Sequence, residues 1–428
     1  MPTRLEALGG TSDLLPVDTA CWQQVESTAR QVLRRYGYQE IRTPIIENAQ
    51  VFLQSLGEST EIVQKQMYLF KDRGDRDVAL RPEGTASAVR AYLEHGLDKT
   101  GGLVKWYYVG PMFRAERPQQ GRRRQFHQLG VEVFGSASPY QDIEVIGLLM
   151  HLLRELGLTK SGLRLNNLGC RKDRPVYVEQ LRQYFGSRHD DLCDECQQRL
   201  LSNPLRILDC KQPRCRTMVE GAHAIQWVCD ACREHVATVT EWLNRVDVAF
   251  DLDPHLVRGL DYYTRTAFEV VHPGLGAQDA VGGGGRYDDL VEQMGGLPVP
   301  AVGFAVGLER VLMAMEHEHV ALQAVEQPEV FIATLGGNAE QLERLRIAHQ
   351  LRVAGISVET NYEPRSIKRQ FEMASKLGCR YVVVIGPDEL QNRTATLKDM
   401  ARGEQEAVPI DQLDGELRRR LGPVGASR

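Results

Sequence analysis

At 428 residues the chain exceeds what one ordinary core absorbs, since domains run on the order of 100 to 200 residues, so two or three domains are expected. A composition of 42% hydrophobic and 25% charged residues excludes the disordered and collagen-like classes. The net charge of -5 gives no global attraction to nucleic acid, so any RNA contact has to use local basic patches. The N-terminal stretch with Arg4, Glu6, Asp13 and Asp18 lacks the apolar run of an export signal, and no later run is long enough to span a bilayer. With nine cysteines, an odd number, this predicts reduced thiols and a cytoplasmic protein without a membrane partner.

After Gly9 to Asp13, the residues Trp22, Val25, Ala29, Val32, Leu33 and Tyr36 recur at helical spacing and Gly37 follows as a stop, which predicts an amphipathic helix packed on a core. Tyr38 to Ile46 is β-rich. Pro44 cannot donate to a central ladder and so marks a strand edge or an interface. Strand patterns recur at 104–109, 129–134, 265–271 and 301–305, too scattered for a βαβ repeat. Residues 1–169 and 246–325 are therefore read as one α+β core around a largely antiparallel sheet. Between them, residues 170–245 change character: six of the nine cysteines fall between Cys193 and Cys232, among polar, mostly helical segments, as in an inserted domain. The acidic stretch near Glu316 to Glu329 is the expected linker to a last domain, 326–428. There a strand (Val330 to Leu335), a helix (Glu340 to Val353), a strand (Ile356 to Glu359), a helix after Ser366 and a strand (Tyr381 to Ile385) predict an α/β domain with a mainly parallel sheet.

The densest chemical signal runs from Phe113 to Gln128. Between 114 and 124 it holds five arginines and Glu116, bends at Pro118 and Gly121, and leads into an apolar strand that contains Glu132. A solvated hairpin tip would explain the charge, but the planar guanidinium fork suits phosphate and the loop has no lysine, so a triphosphate or an RNA backbone fits. Arg81-Pro82-Glu83-Gly84-Thr85 puts a carboxylate and a hydroxyl at a turn into a helix, where Thr85 could act simply as a cap. Leu256 to Arg265 groups Arg258, Asp261, Tyr262 and Tyr263 before a strand, and alone reads as a polar strand entry. In Gly303 to Arg310 close packing explains the glycines and leaves Arg310 over. Gly282 to Gly285 lacks both the Lys-Ser/Thr of a phosphate loop and dinucleotide spacing, and reads as a tight turn with close backbone approach.

Taken in order, these segments resemble the class II aminoacyl-tRNA synthetases over nearly the whole chain, and Leu256 to Arg265 resembles the signature of the histidyl enzymes of that class. The fold this implies is α+β: an antiparallel-sheet catalytic core, an inserted mostly helical domain and a C-terminal α/β anticodon-binding domain. The first helix and the Pro44 strand would form a homodimer interface. The implied activity joins L-histidine to tRNA(His) through a histidyl-adenylate made from ATP with Mg²⁺.

The resemblance also assigns residues. Arg114 would contact the α-phosphate, and Arg258 would sit between it and the substrate carboxylate, where related enzymes use a metal ion; these two are the catalytic candidates. Arg122 and Arg310 would bind the distal phosphates, with Mg²⁺ between them, while Glu116 and Phe126 place the adenine. Glu83, Thr85 and Gln128, with Gly84 in the same turn, would surround the α-ammonium group. Glu132 and Tyr263 would read the imidazole, with Tyr262 lining the pocket. A neutral imidazole has one donor and one acceptor nitrogen, so a carboxylate and a phenol can read both. The rival function is a non-catalytic histidine-binding regulatory paralogue. Such relatives generally lose the catalytic arginines and the anticodon domain, whereas Arg114, Arg258, Arg310 and a C-terminal α/β domain are present here.

Cys193-x2-Cys196 and Cys229-x2-Cys232 form two metal-knuckle pairs, with Cys210, Cys215, His223 and His235 nearby. Four thiolates in two such pairs are expected to close one tetrahedral structural Zn²⁺ site, with Cys210 or Cys215 able to replace one of them. The competing reading is small buried thiols, because the gap between the pairs is longer than in typical zinc ribbons.

Overall fold

Helix Pro16–Arg35 forms where the apolar spacing places it. Pro16 stands in the first turn, where no intrahelical N–H is lost, and Trp22, Val25, Ala29, Val32 and Leu33 make the buried stripe. Gly37, at φ +79°, ends it in a conformation open to glycine. The computed structural model describes residues 5–57, 60–117, 123–222, 228–276, 278–322, 325 and 327–422. The chain divides into two compact units, Met1–Gln323 and Ala324–Arg428.

In the first unit the helix packs on an eight-stranded sheet. Its order is Gln39–Glu40, Val104–Phe113, Gln125–Phe134, Ala301–Gly307, Ala280–Arg286, Thr264–Val271, Gly162–Asn167, Asp251–Leu252. The inner strands all pair antiparallel, as expected, and the two-residue edge strands pair parallel. A small antiparallel sheet joins Ile46–Asn48, Asp77–Leu80 and Tyr68–Lys71. Pro44 falls between Gln39–Glu40 and Ile46–Asn48 and interrupts neither ladder.

The glycine run departs from expectation. Gly282 to Gly285 is no turn; it lies inside the inner strand Ala280–Arg286. A Cβ on Gly284 would overlap the Gly303 carbonyl, and one on Gly283 would come within 2.8 Å of Arg258 Nη1. Close approach was read correctly, but the glycines serve a strand on which an arginine lies.

The described residues of 170–245 are mostly helical as expected, with an apolar cluster of their own that includes Tyr177, Leu181, Phe185, Ile207 and Val219. Helix Asp230–Arg245 runs back onto the main core and buries Val239 and Leu243 there. His235 on this helix joins no cysteine cluster: its Nε2 lies 2.6 Å from the buried Asp142, which also takes Arg286 at 2.7 Å and the Thr266 hydroxyl at 2.6 Å. Helix Leu308–His317 reaches into the expected linker, and Val320 and Leu322 still pack on the first core, so the connection is shorter than expected.

The second unit holds a five-stranded sheet in the order Val358–Thr360, Val330–Thr334, Tyr381–Ile385, Thr394–Asp399, Gln405–Pro409. The first three pair parallel, with helices Asn338–Val353 and Ile367–Lys376 as crossovers; the last two add antiparallel, so the sheet is mixed and not mainly parallel. Gln405–Pro409 buries only Val408, which is why no strand pattern marks it. Among the described residues no helix is long and apolar enough to cross a membrane.

Candidate active site

Glu83 caps helix Thr85–Glu94: its carboxylate accepts the backbone N–H groups of Thr85 at 2.6 Å and Ala86 at 2.7 Å. Capping therefore does not fall to Thr85, whose hydroxyl donates to Glu132 Oε1 at 2.7 Å. Glu132, on Gln125–Phe134, is 1% exposed and also accepts the Tyr108 hydroxyl at 3.3 Å and the Tyr287 hydroxyl. Burial pushes its carboxyl up to about 8, and hydrogen bonds from Tyr287 and Thr85 pull the other way. Glu83 is raised as well, by burial, against the N–H groups it accepts. Gly84 and Gly130 both abut the Tyr108 ring, and a Cβ on either would overlap it.

The loop before strand Thr264–Val271 supplies Tyr262 and Tyr263, whose rings are 4.7 Å apart, with Tyr287 5.7 Å from Tyr262. Inserted residues hold this loop. Arg174 donates to the Asp261 carbonyl at 2.5 Å, Asn203 to Asp261 Oδ1 at 2.8 Å and Arg206 to the Gly259 carbonyl at 3.0 Å.

Arg258, in the same loop, pairs with Glu269 at 2.5 Å, and its buried Nε has no hydrogen-bond partner among the described residues. Burial works to discharge it, but Glu269 and the two tyrosines outweigh burial and hold it charged. Arg114 donates from Nε to the Pro82 carbonyl at 3.0 Å, and its head lies 5.1 Å from the centre of the Phe126 ring and 4.0 Å from Glu116. Arg310 starts helix Leu308–His317 and donates from Nε to the Ala280 carbonyl at 2.5 Å. Beside it, Glu309 accepts the His127 backbone N–H at 3.0 Å. Gln128 Oε1 is buried and unpartnered among the described residues.

Glu83, Thr85, Glu132 and the three tyrosines Tyr262, Tyr263 and Tyr287 share one cavity of about 1000 Å³ with Arg114, Arg258 and Arg310, and Gly282, Gly283, Gly303 and Gly307 are also in its lining. That volume suits a nucleotide together with a small second substrate. Every described residue assigned by resemblance to histidine or ATP lines it except Gly84, which shapes the turn against Tyr108. Arg122, with Pro118 and Gly121 of the same loop, lies outside the described residues.

A family model described as histidyl-tRNA synthetase matches residues 10–172 and 206–311, and one described as anticodon binding domain matches residues 329–420. The chain is 50% identical to a histidine–tRNA ligase of Desulforudis audaxviator over 96% of its own length and 97% of the relative's. It is 46% identical to the same-named protein of Natranaerobius thermophilus, with 96% and 98% covered. The structure of apo Staphylococcus aureus histidyl-tRNA synthetase superposes at a TM-score of 0.81, with 35% identity and 96% and 99% covered. The chain belongs to the histidyl-tRNA synthetase family.

Beyond the resemblance to the histidyl-tRNA synthetase family, the geometry adds Tyr108, Tyr287 and Glu269. None stands in a motif, and each reads in the sequence as an ordinary strand or turn residue. The signal that could have found Tyr287 is its place directly after the glycine run and Arg286. The proposed four-cysteine metal set of Cys193, Cys196, Cys229 and Cys232 needs correction: the pairs go to different clusters. Cys193 and Cys196 meet Cys210 and Cys215, whereas Cys229 and Cys232 meet Cys170 and Asp173. Each knuckle opens a different helix, and those helices pack on different neighbours. His223 lies outside the described residues.

Proposed function

We propose that the chain activates L-histidine with ATP and transfers it to tRNA(His). The observation that carries this reading is a single cavity combining a buried Glu132 ringed by hydroxyls with the guanidinium groups of Arg114, Arg258 and Arg310. A regulatory, non-catalytic role would not call for that cationic set, and the match to an anticodon-binding model speaks for a tRNA substrate.

In this reading the histidine carboxylate attacks the α-phosphorus of ATP, pyrophosphate leaves, and a ribose hydroxyl of the tRNA then takes the acyl group and releases AMP. Carboxylate and phosphate repel, so the chain's task is to align them and to neutralise charge that builds in the transition state. Arg258 bridges the carboxylate and the α-phosphate, and Arg114 holds the α-phosphate from the other motif. Arg310, with Arg122, takes the distal phosphates. Phe126 stacks on the adenine and Glu116 bonds to it. Gln128 Oε1, unpartnered among the described residues, receives the ammonium group with Glu83 and Thr85. Glu132 and Tyr263 read the two imidazole nitrogens, and Tyr262 closes the wall. A pocket with such groups rejects residues that would leave them unpaired.

Magnesium fits the donor set. Glu269 and Glu309 bring carboxylate oxygens to the cavity wall, the hard donors Mg²⁺ takes alongside phosphates and water. When bound, it would offset phosphate charge.

Residues 170–245 act as an inserted module that buttresses the Arg258 loop, 326–428 as the anticodon-binding domain, and 1–169 with 246–325 as the catalytic core. The active form is a cytoplasmic homodimer joined through the first helix and the Pro44 segment. ATP–pyrophosphate exchange run with each amino acid tests the reading. Histidine alone should support exchange, and exchange with another amino acid, or with none, overturns it.

A further inference from the structure

Cys193, Cys196, Cys210 and Cys215 lie beside the cavity and take no part in the chemistry above. Their sulfurs all lie within 4.8 Å of one another, none is in a disulfide, and Cys193 Sγ and Cys210 Sγ are 3.8 Å apart. A tetrahedral zinc with Zn–S bonds of ~2.3 Å sets its sulfurs ~3.8 Å apart, so the spacing is that of four ligands around one ion. Sulfurs this close leave no room for a multi-iron cluster. We propose that these four cysteines bind one zinc ion that holds the inserted wall of the cavity in shape.

The local fold supports the assignment. Cys193 caps helix Asp194–Ser202 and Cys196 lies in its first turn, so both sulfurs turn back toward one point; Cys215 occupies the first turn of Pro213–Val219. The backbone N–H of Cys193 donates to Cys215 Sγ at 3.3 Å, the kind of bond that orients a metal-bound thiolate. Cys196, Cys210 and Cys215 are buried. The segment they join is made of one- and two-turn helices, too short to persist alone, and a metal supplies the cross-link they lack. Cys210 itself lines the substrate cavity, with Asp209, Lys211, Arg216 and Glu220 from the same segment.

The other cluster is built differently. Both Asp173 oxygens already accept backbone N–H groups, from Cys229 at 3.0 Å and Cys170 at 3.1 Å, so it is satisfied without an ion. It serves as the control.

The test is metal analysis of the full chain purified without chelator from zinc-containing medium, together with cobalt(II) substitution. About one zinc per chain is expected, with thiolate-to-cobalt charge-transfer bands and tetrahedral d–d bands for the cobalt form. Cys215→Ser should lose the metal, and Cys229→Ser should keep it. Less than about half an equivalent of zinc in the wild-type chain overturns the proposal. So does retention of a full equivalent by Cys215→Ser, or its loss from Cys229→Ser alone. If Cys215→Ser does not fold, the wild-type cobalt spectrum decides: a band intensity matching three thiolates instead of four places the ion in the other cluster and sinks the idea.

Discussion

Two buried ionisable groups dominate the site at the scale of single residues, and each makes a measurable difference. Arg258 keeps its charge through Glu269, while its Nε has no hydrogen-bond partner among the described residues and so has donor capacity to spare, as the proposed role requires. Arg258→Ala and Arg258→His should leave the fold intact and lower ATP–pyrophosphate exchange by on the order of 10² or more, the usual cost of removing transition-state charge stabilisation. Near-normal exchange in either variant would remove Arg258 from the mechanism. Glu132 has its carboxyl pushed to about 8 by burial. An unfolded glutamate titrates near ~4.3, so between these values the folded chain keeps a proton that the unfolded chain has released, and stability falls as pH rises through the window. Glu132→Gln abolishes this titration. Its melting temperature should fall less than the wild type's between about pH 5 and pH 8, and its KM should rise more for histidine than for ATP. Equal slopes would mean that Glu132 is not held protonated, and equal KM changes that it does not read the imidazole.

Among the secondary-structure elements, the strands that carry no reactive side chain are as demanding as the loops that do. Ala280–Arg286 sits between two neighbours close enough that a Cβ on Gly284 would overlap the Gly303 carbonyl, while Gly283 faces Arg258. Gly284→Ala should destabilise the first unit by about 1–3 kcal/mol, read from the denaturant midpoint, because backbone cannot step aside as a side chain can. Gly283→Ala should cost exchange activity beyond any loss of stability, by displacing Arg258. An unchanged midpoint for Gly284→Ala would show that the sheet relaxes. The inserted helices grip this loop: Arg174, Asn203 and Arg206 all bond to Gly259 or Asp261, next to Arg258, Tyr262 and Tyr263, which line the cavity. The sequence marked this insert by its cysteines and could not show that it buttresses the site.

For the molecule as a whole, the two units have separate apolar cores, one led by Trp22, Val131 and Phe268 and the other by Val330, Ile347 and Val383. Activation and tRNA recognition should therefore separate. A chain ending near Glu326 should still exchange pyrophosphate with histidine while charging tRNA poorly, with molecular mass measured alongside to follow dimerisation. Normal charging by the shortened chain would remove the anticodon role from residues 326–428.

What the sequence determined by itself was whatever is written in local order. Helix Pro16–Arg35 follows from apolar spacing and Gly37, and the parallel crossovers of the second unit follow from alternating strands and helices. The arginine-rich segment stood out because its charge is contiguous, whereas the Arg258 loop, which alone reads as a polar strand entry, was singled out only through the family resemblance. Tertiary structure decided the rest. Tyr108, Tyr287 and Thr85 meet on Glu132 from strands and turns far apart in the chain, and nothing local announces such a meeting. The glycine run became a strand because its ladder partners come from Thr264–Val271 and Ala301–Gly307, which a local reading cannot supply. The two cysteine pairs parted because each knuckle travels with its own helix, and where a helix packs is set by the apolar face it buries and not by the spacing of its cysteines.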